Sequence, residues 1–209
     1  MLDSPEPDRF AVIPPTTGTL RIACAVMVRY AGNEWIAISH EPAVEGETAQ
    51  LGFGSAESLV SFDVTVLECH PTIVGNVVRH RLRLGMPASA VAGTVAGEVD
   101  EKLQRNWATG ILTRDHEVRL LAFSTLGCAL ESDWSFRSQT RGHLRVSLGG
   151  VEFSDNVEVV VSHPYGTGSA CELGVRFGVE DCASELSNSD PQAERLEKLI
   201  RSLTTSSVH

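Results

Sequence analysis

The chain has 209 residues, 42% hydrophobic and 21% charged, the composition of a folded protein long enough for one large domain or two of about 100 residues. A formal net charge of -10 excludes non-specific nucleic-acid binding and opposes, on average, an anionic membrane, so any anion-binding function must rest on a local group of arginines. Five cysteines, an odd number with no C-x-x-C pair, read as free thiols in a reducing compartment. With no secretory apolar segment and no apolar run of about 18 residues, the expectation is a cytoplasmic protein without a membrane span.

Residues 1–18 hold four of the nine prolines and are expected as an extended lead-in. From 19 to 90 the pattern has period two. Ile22, Cys24, Val26 and Val28 alternate with Arg21 and Arg29; Phe62, Val64 and Val66 with Asp63 and Thr65; Val78, His80, Leu82 and Leu84 with Arg79, Arg81 and Arg83. Such strands bury one face and wet the other, as small antiparallel barrels do. Over 91–109 the spacing predicts a linker helix, with Val99, Leu103 and Trp107 on one stripe across a barrel mouth. A second strand-rich block, 110–181, sets Val118 and Leu120 against Arg119, and continues the alternation at Leu144, Val146 and Leu148 and at Leu173, Val175 and Phe177.

This block repeats the first at an offset of 93 residues: Val64-Thr65-Val66 falls on Val157-Glu158-Val159 and His70-Pro71 on His163-Pro164, which implies a duplicated barrel or half-barrel. The His-Pro pairs read as turn entries. A C-terminal helix is expected over 190–204, capped by Asp190 and begun by Pro191, with Leu196, Leu199, Ile200 and Leu203 forming a stripe that must cover the second barrel, a protein partner or a second copy.

Ser124-Thr125-Leu126-Gly127 is an S-x-x-G at the end of an alternating strand, followed by Cys128-Ala129-Leu130-Glu131. With its flanking strands, from about Gln104 to Val179, this stretch resembles the PilZ family, the six-stranded barrels of bacterial cyclic di-GMP receptors. The resemblance implies a signature R-x-x-x-R on the entering segment and (D/N)-x-S-x-x-G on the first strand and turn. In that signature two guanidinium forks grip the phosphates and stack on guanine, while the Asp or Asn accepts from the guanine edge.

Here Ala122 stands at the Asp/Asn position, and Thr109 stands four residues after Arg105. Losing one charged hydrogen-bonding partner costs about 2–3 kcal/mol, so two such losses take micromolar binding out of the detectable range. The candidate ligand set that remains is Arg105, Arg114, Arg119, Ser124 and Gly127. The competing account of Ser124 and Gly127 is a tight turn, with glycine supplying the left-handed conformation and serine bonding the backbone. Arg79, Arg81 and Arg83 project from one strand face and form a candidate anion or partner surface.

Nothing in the spacing supports catalysis or metal binding. Ser124, His163 and Asp155 can be named as a triad, yet no nucleophile elbow, H-E-x-x-H, P-loop or Rossmann glycine pattern accompanies them. The expectation is therefore an all-β protein of two PilZ-like six-stranded antiparallel barrels in tandem, with a linking and a C-terminal helix and no cofactor. Its expected role is non-enzymatic signalling through a protein partner or its own dimer. The alternative is a receptor that binds cyclic di-GMP with a non-standard arginine set.

Overall fold

A computed structural model describes residues 11–31, 34–55, 58–86, 106–148, 150–164 and 169–179. Among these the chain is all β, with ten antiparallel strands and no helix: β1 Ala11–Ala31, β2 Glu34–Ser39, β3 Thr48–Ser55, β4 Ser58–Val74, β5 Val77–Gly85, β6 Ala108–Phe123, β7 Gly127–Ser132, β8 Arg141–Leu148, β9 Val151–Pro164 and β10 Cys171–Phe177. The chain divides into two compact units, 23–114 and the combination of 1–22 with 115–209. Both β1 and β6 therefore change unit part-way along their length.

In the 23–114 unit, the later part of β1 pairs with β2, β2 with β5, β5 with β4, β4 with β3, and β3 with the early part of β6. The alternating positions are the buried ones: Val26 and Val28, Phe62, Val64 and Val66, Leu82 and Leu84. Trp35 lies at the centre of this core, its ring 5.0 Å from those of Tyr30 and Phe53 and 5.4 Å from Phe62.

In the other unit, the early part of β1 pairs with β8, β8 with β9, β9 with β10, β10 with β7, and β7 with the later part of β6. Val118, Leu120, Leu144, Val146, Leu173, Val175 and Phe177 are buried, as their spacing requires. β1 and β6 also pair with each other.

The 93-residue offset reaches into the hydrogen bonding. The Ser39 hydroxyl accepts from Glu41 N at 3.1 Å, and Ser132 accepts from Trp134 N at 3.1 Å. Val66 exchanges backbone bonds with Gly46 and Glu47, 2.8 Å each, while Val159 exchanges them with Gln139 and Thr140 at 2.7 and 2.8 Å. Gly46 and Gln139 both hold positive φ, 86° and 69°. Each long hairpin carries one bulge, leaving Leu67 on β4 and Val160 on β9 without a register partner.

Several expectations change. β1 opens at Ala11, so the expected lead-in is strand from that residue onward. Of the linker-helix range, residues 91–105 lie outside the described residues, and the remainder is not helical because β6 opens at Ala108. The C-terminal helix range also lies outside them. His70 and Pro71 do not enter a turn: they pair with Arg81 and His80 inside β4. Proline is tolerated there because β3 pairs with β4 only as far as Thr65, which leaves that stretch with β5 as its one strand neighbour. Val78, expected on the buried face, is 60% exposed because the β4–β5 hairpin runs past the core.

Candidate functional site

The S-x-x-G segment connects β6 to β7 above three phenylalanines, Phe123, Phe153 and Phe177, whose ring centroids lie 5.1–5.2 Å apart. Ser124 is 3% exposed and its hydroxyl is fully engaged. It donates to Gly127 O at 3.0 Å and accepts from Gly127 N at 3.2 Å and Leu126 N at 3.3 Å, while Ser124 N donates to Gly127 O at 2.9 Å. This is a self-contained serine turn that satisfies the backbone groups a sharp reversal would otherwise orphan.

Gly127 is required for a reason other than the expected one. It is absent from the glycines at positive φ, which among the described residues are Gly46, Gly75, Gly150 and Gly178. Instead β10 passes so close that a Cβ at Gly127 would overlap the Val175 carbonyl oxygen and stand 3.1 Å from its carbon and 3.2 Å from Arg176 Cα. The left-handed role is thereby replaced by close backbone approach. Phe177 N, which donates to Leu126 O at 3.0 Å, fastens β10 to the same turn.

The arginines of the candidate set do not gather here. Arg105 lies outside the described residues. Arg114 is 2% exposed and belongs to the 23–114 unit, where it donates to Pro42 O at 2.6 Å and to Glu41 Oε2 at 3.4 Å, with Glu47 Oε2 at 3.6 Å. Nearby burial raises the Cys24 thiol pKa, against the opposing pull of the Arg114 charge. Arg119 is in the same unit as Ser124, but its guanidinium is held by Glu131 across the β6–β7 ladder, with Nε at 2.9 Å. Ser124 lies five positions further along the chain, about 16 Å at the usual strand rise.

Arg176, which the sequence reading passed over, pairs in register with Gly127, and its guanidinium binds Glu158 at 2.8 Å. Its alternation with Val175 and Phe177 was the available signal. Arg114 could have been placed by the same rule, since it falls in phase with the buried Leu112, His116 and Val118.

Solved structures to which the chain is similar at low identity include the following three. YcgR from Escherichia coli in complex with c-di-GMP is 13% identical, with 90% of this chain and 85% of that one covered and a TM-score of 0.37. The K. pneumonia MrkH–c-di-GMP complex is 11% identical, with 88% of each chain covered and a TM-score of 0.34. The Bacillus subtilis inhibitor of motility, MotI/DgrA, is 12% identical, with 93% and 99% covered and a TM-score of 0.33. No family model and no curated protein matches the chain.

The remaining candidates disperse. Asp155 is buried on β9 and accepts from Gly178 N at 3.3 Å, while the exposed His163 is the penultimate residue of the same strand, about 25 Å away at strand rise, so no triad with Ser124 can form. Arg83 is taken by Glu34, at 2.8 and 2.9 Å, and by Glu68, which removes it from the arginine stripe of β5. Burial pushes the Cys128 thiol pKa far up, which keeps it protonated and unreactive. Among the described residues no three His, Cys, Asp or Glu side chains converge as metal ligands.

Proposed function

We propose that this chain is a duplicated PilZ-like protein of bacterial signalling, non-enzymatic and cytoplasmic, whose cyclic di-GMP motif is mute and which regulates through contacts with a protein partner or a second copy. The two repeats are 19–90 and 110–181, preceded by the lead-in 1–18, with the linker segment 91–109 between them and the 190–204 helix supplying a docking stripe. Each repeat provides five strands, and each barrel gains its sixth from the strand that leads into the other repeat: β6 beside β3, and β1 beside β8. The matched serine bonds, positive-φ positions and bulges at one offset support the duplication.

One observation carries the functional half of the reading: the hydroxyl of Ser124 is spent on its own turn, and Arg119, the described candidate guanidinium of the same unit, is spent on Glu131. A dinucleotide would have to break that ion pair, and it would find Ala122 where the guanine edge needs an acceptor. Isothermal titration of the full chain with cyclic di-GMP tests this. The expected result is no binding in the micromolar range for wild type, Arg105→Ala or Arg119→Ala. Micromolar binding that Arg105→Ala or Arg119→Ala weakens tenfold or more would make the chain a receptor and end the proposal.

A further inference from the structure

The β4–β5 hairpin extends past every other strand that flanks it. β3 pairs with β4 only to Thr65, and β2 pairs with β5 only over His80–Leu84, so beyond those points, among the described strands, the two arms pair only with each other. Gly75 and Asn76 close the hairpin with φ of 57° and 64°, the type I′ geometry that keeps both arms straight and in register.

The residues around this turn are apolar on both faces. Ile73 pairs with Val78 and Val74 with Val77, so one pair faces each way; their exposures are 75%, 60%, 43% and 44%. A strand pair on a barrel needs only one apolar face, and a flat partner surface would cover only one. A tip that is apolar all round fits a medium that surrounds it.

Behind the tip the charge changes sign relative to the chain. From His70 to Leu82 there is no Asp or Glu, while Arg79 and Arg81 project from the outer face beside His70. On a chain of net charge -10 this is a local cationic collar directly behind an apolar tip. Apolar side chains ahead of arginines that keep their heads at the headgroup level form the pattern of a segment that sits in the interface of an anionic bilayer.

We propose that the β4–β5 hairpin docks on anionic lipid surfaces, with Ile73, Val74, Val77 and Val78 entering the interface and Arg79 and Arg81 meeting lipid phosphates. The contact is peripheral and reversible. It brings the regulator to a membrane without spanning it, and it does not depend on cyclic di-GMP.

The test is flotation of the full chain with phosphatidylcholine vesicles, with and without phosphatidylglycerol. Wild type is expected on the anionic vesicles, weakly or not at all on the neutral ones, and less as salt is raised. Arg79→Glu with Arg81→Glu should weaken anionic binding by at least about fivefold per arginine, and Ile73→Asp with Val78→Asp by tenfold or more. These side chains lie outside the core, so the melting temperature of each variant should match wild type, which separates lost docking from lost folding. Absence of wild-type binding to anionic vesicles, or binding indifferent to both pairs of substitutions, overturns the proposal. So does light scattering that shows a doubled mass abolished by Ile73→Asp without vesicle binding, because the occupant would then be a second copy.

Discussion

Replacing Gly127 by alanine is the sharpest test of what the S-x-x-G segment does. The added methyl would overlap the Val175 carbonyl oxygen and press its carbon at 3.1 Å, so β7 and β10 must separate where Gly127 and Arg176 are paired. Overpacking against movable side chains costs about 1–3 kcal/mol, and here the obstacle is backbone in a hydrogen-bonded ladder, which puts the cost near the top of that range. The Phe177 N to Leu126 O bond lies one step further on and would be strained as well, adding about 1 kcal/mol.

A loss of about 3–4 kcal/mol, at an m-value near 2 kcal/mol/M, lowers the urea midpoint by roughly 1.5–2 M. Ser124→Ala removes one donor and one shared acceptor but leaves the backbone path intact, so it should cost only about 1–2 kcal/mol. Hydrogen exchange at the Phe177 amide reports the same strain locally and should accelerate in Gly127→Ala. A midpoint for Gly127→Ala within about 0.3 M of wild type, or a larger loss for Ser124→Ala, would show that the close approach does not constrain this strand pair.

Arg114→Leu should destabilise the chain by about 3–5 kcal/mol, because Glu41 and Glu47 would be left facing a cation that is gone; adding Glu41→Gln and Glu47→Gln should restore at least half the lost melting temperature, and no rescue would mean that the arginine acts through packing alone. Cys128, whose pKa burial raises, stabilises the fold fully below the unfolded thiol value of about 8.5 and less as pH rises above it. Urea midpoints at rising alkaline pH should therefore fall faster for wild type than for Cys128→Ala, by at most about 1.4 kcal/mol per pH unit; parallel curves would refute the shift.

The strands were legible because period-two alternation depends only on which residues can be left in water. Val26, Phe62, Leu144 and Val175 are buried for that reason alone. What was not legible arises where a residue answers to a segment distant in sequence. The need for glycine at 127 is created by Val175, and the rule that glycine serves positive φ could not anticipate it. Arg114 follows the buried phase of β6, but only the folded chain brings Glu41, Glu47 and the Pro42 carbonyl to meet it. The same applies to Arg83, Arg119 and Arg176, which a sequence presents as available cations and which the cross-strand carboxylates of Glu34, Glu131 and Glu158 engage. Val78 fails in the opposite direction: its phase is right, but the barrel wall ends before the strand does.

The features that recur at the 93-residue offset answer to geometry. The Ser39 and Ser132 turns, the left-handed Gly46 and Gln139 and the bulges at Leu67 and Val160 recur because each relieves the same problem, a long strand that must bend as it passes the loop after β2 or β7. Gln139 at φ 69° is the more telling member of its pair: a non-glycine residue tolerates that conformation only where the surrounding bonds demand it, and the bonds to Val159 supply the demand. The S-x-x-G turn has no such twin, since the offset places Ala31 and Glu34 at the positions of Ser124 and Gly127. The S-x-x-G turn is held instead by contacts particular to its own unit, the Ser124 hydroxyl on the Gly127 backbone and the close approach of the Val175 carbonyl, and not by the bend that recurs at the offset.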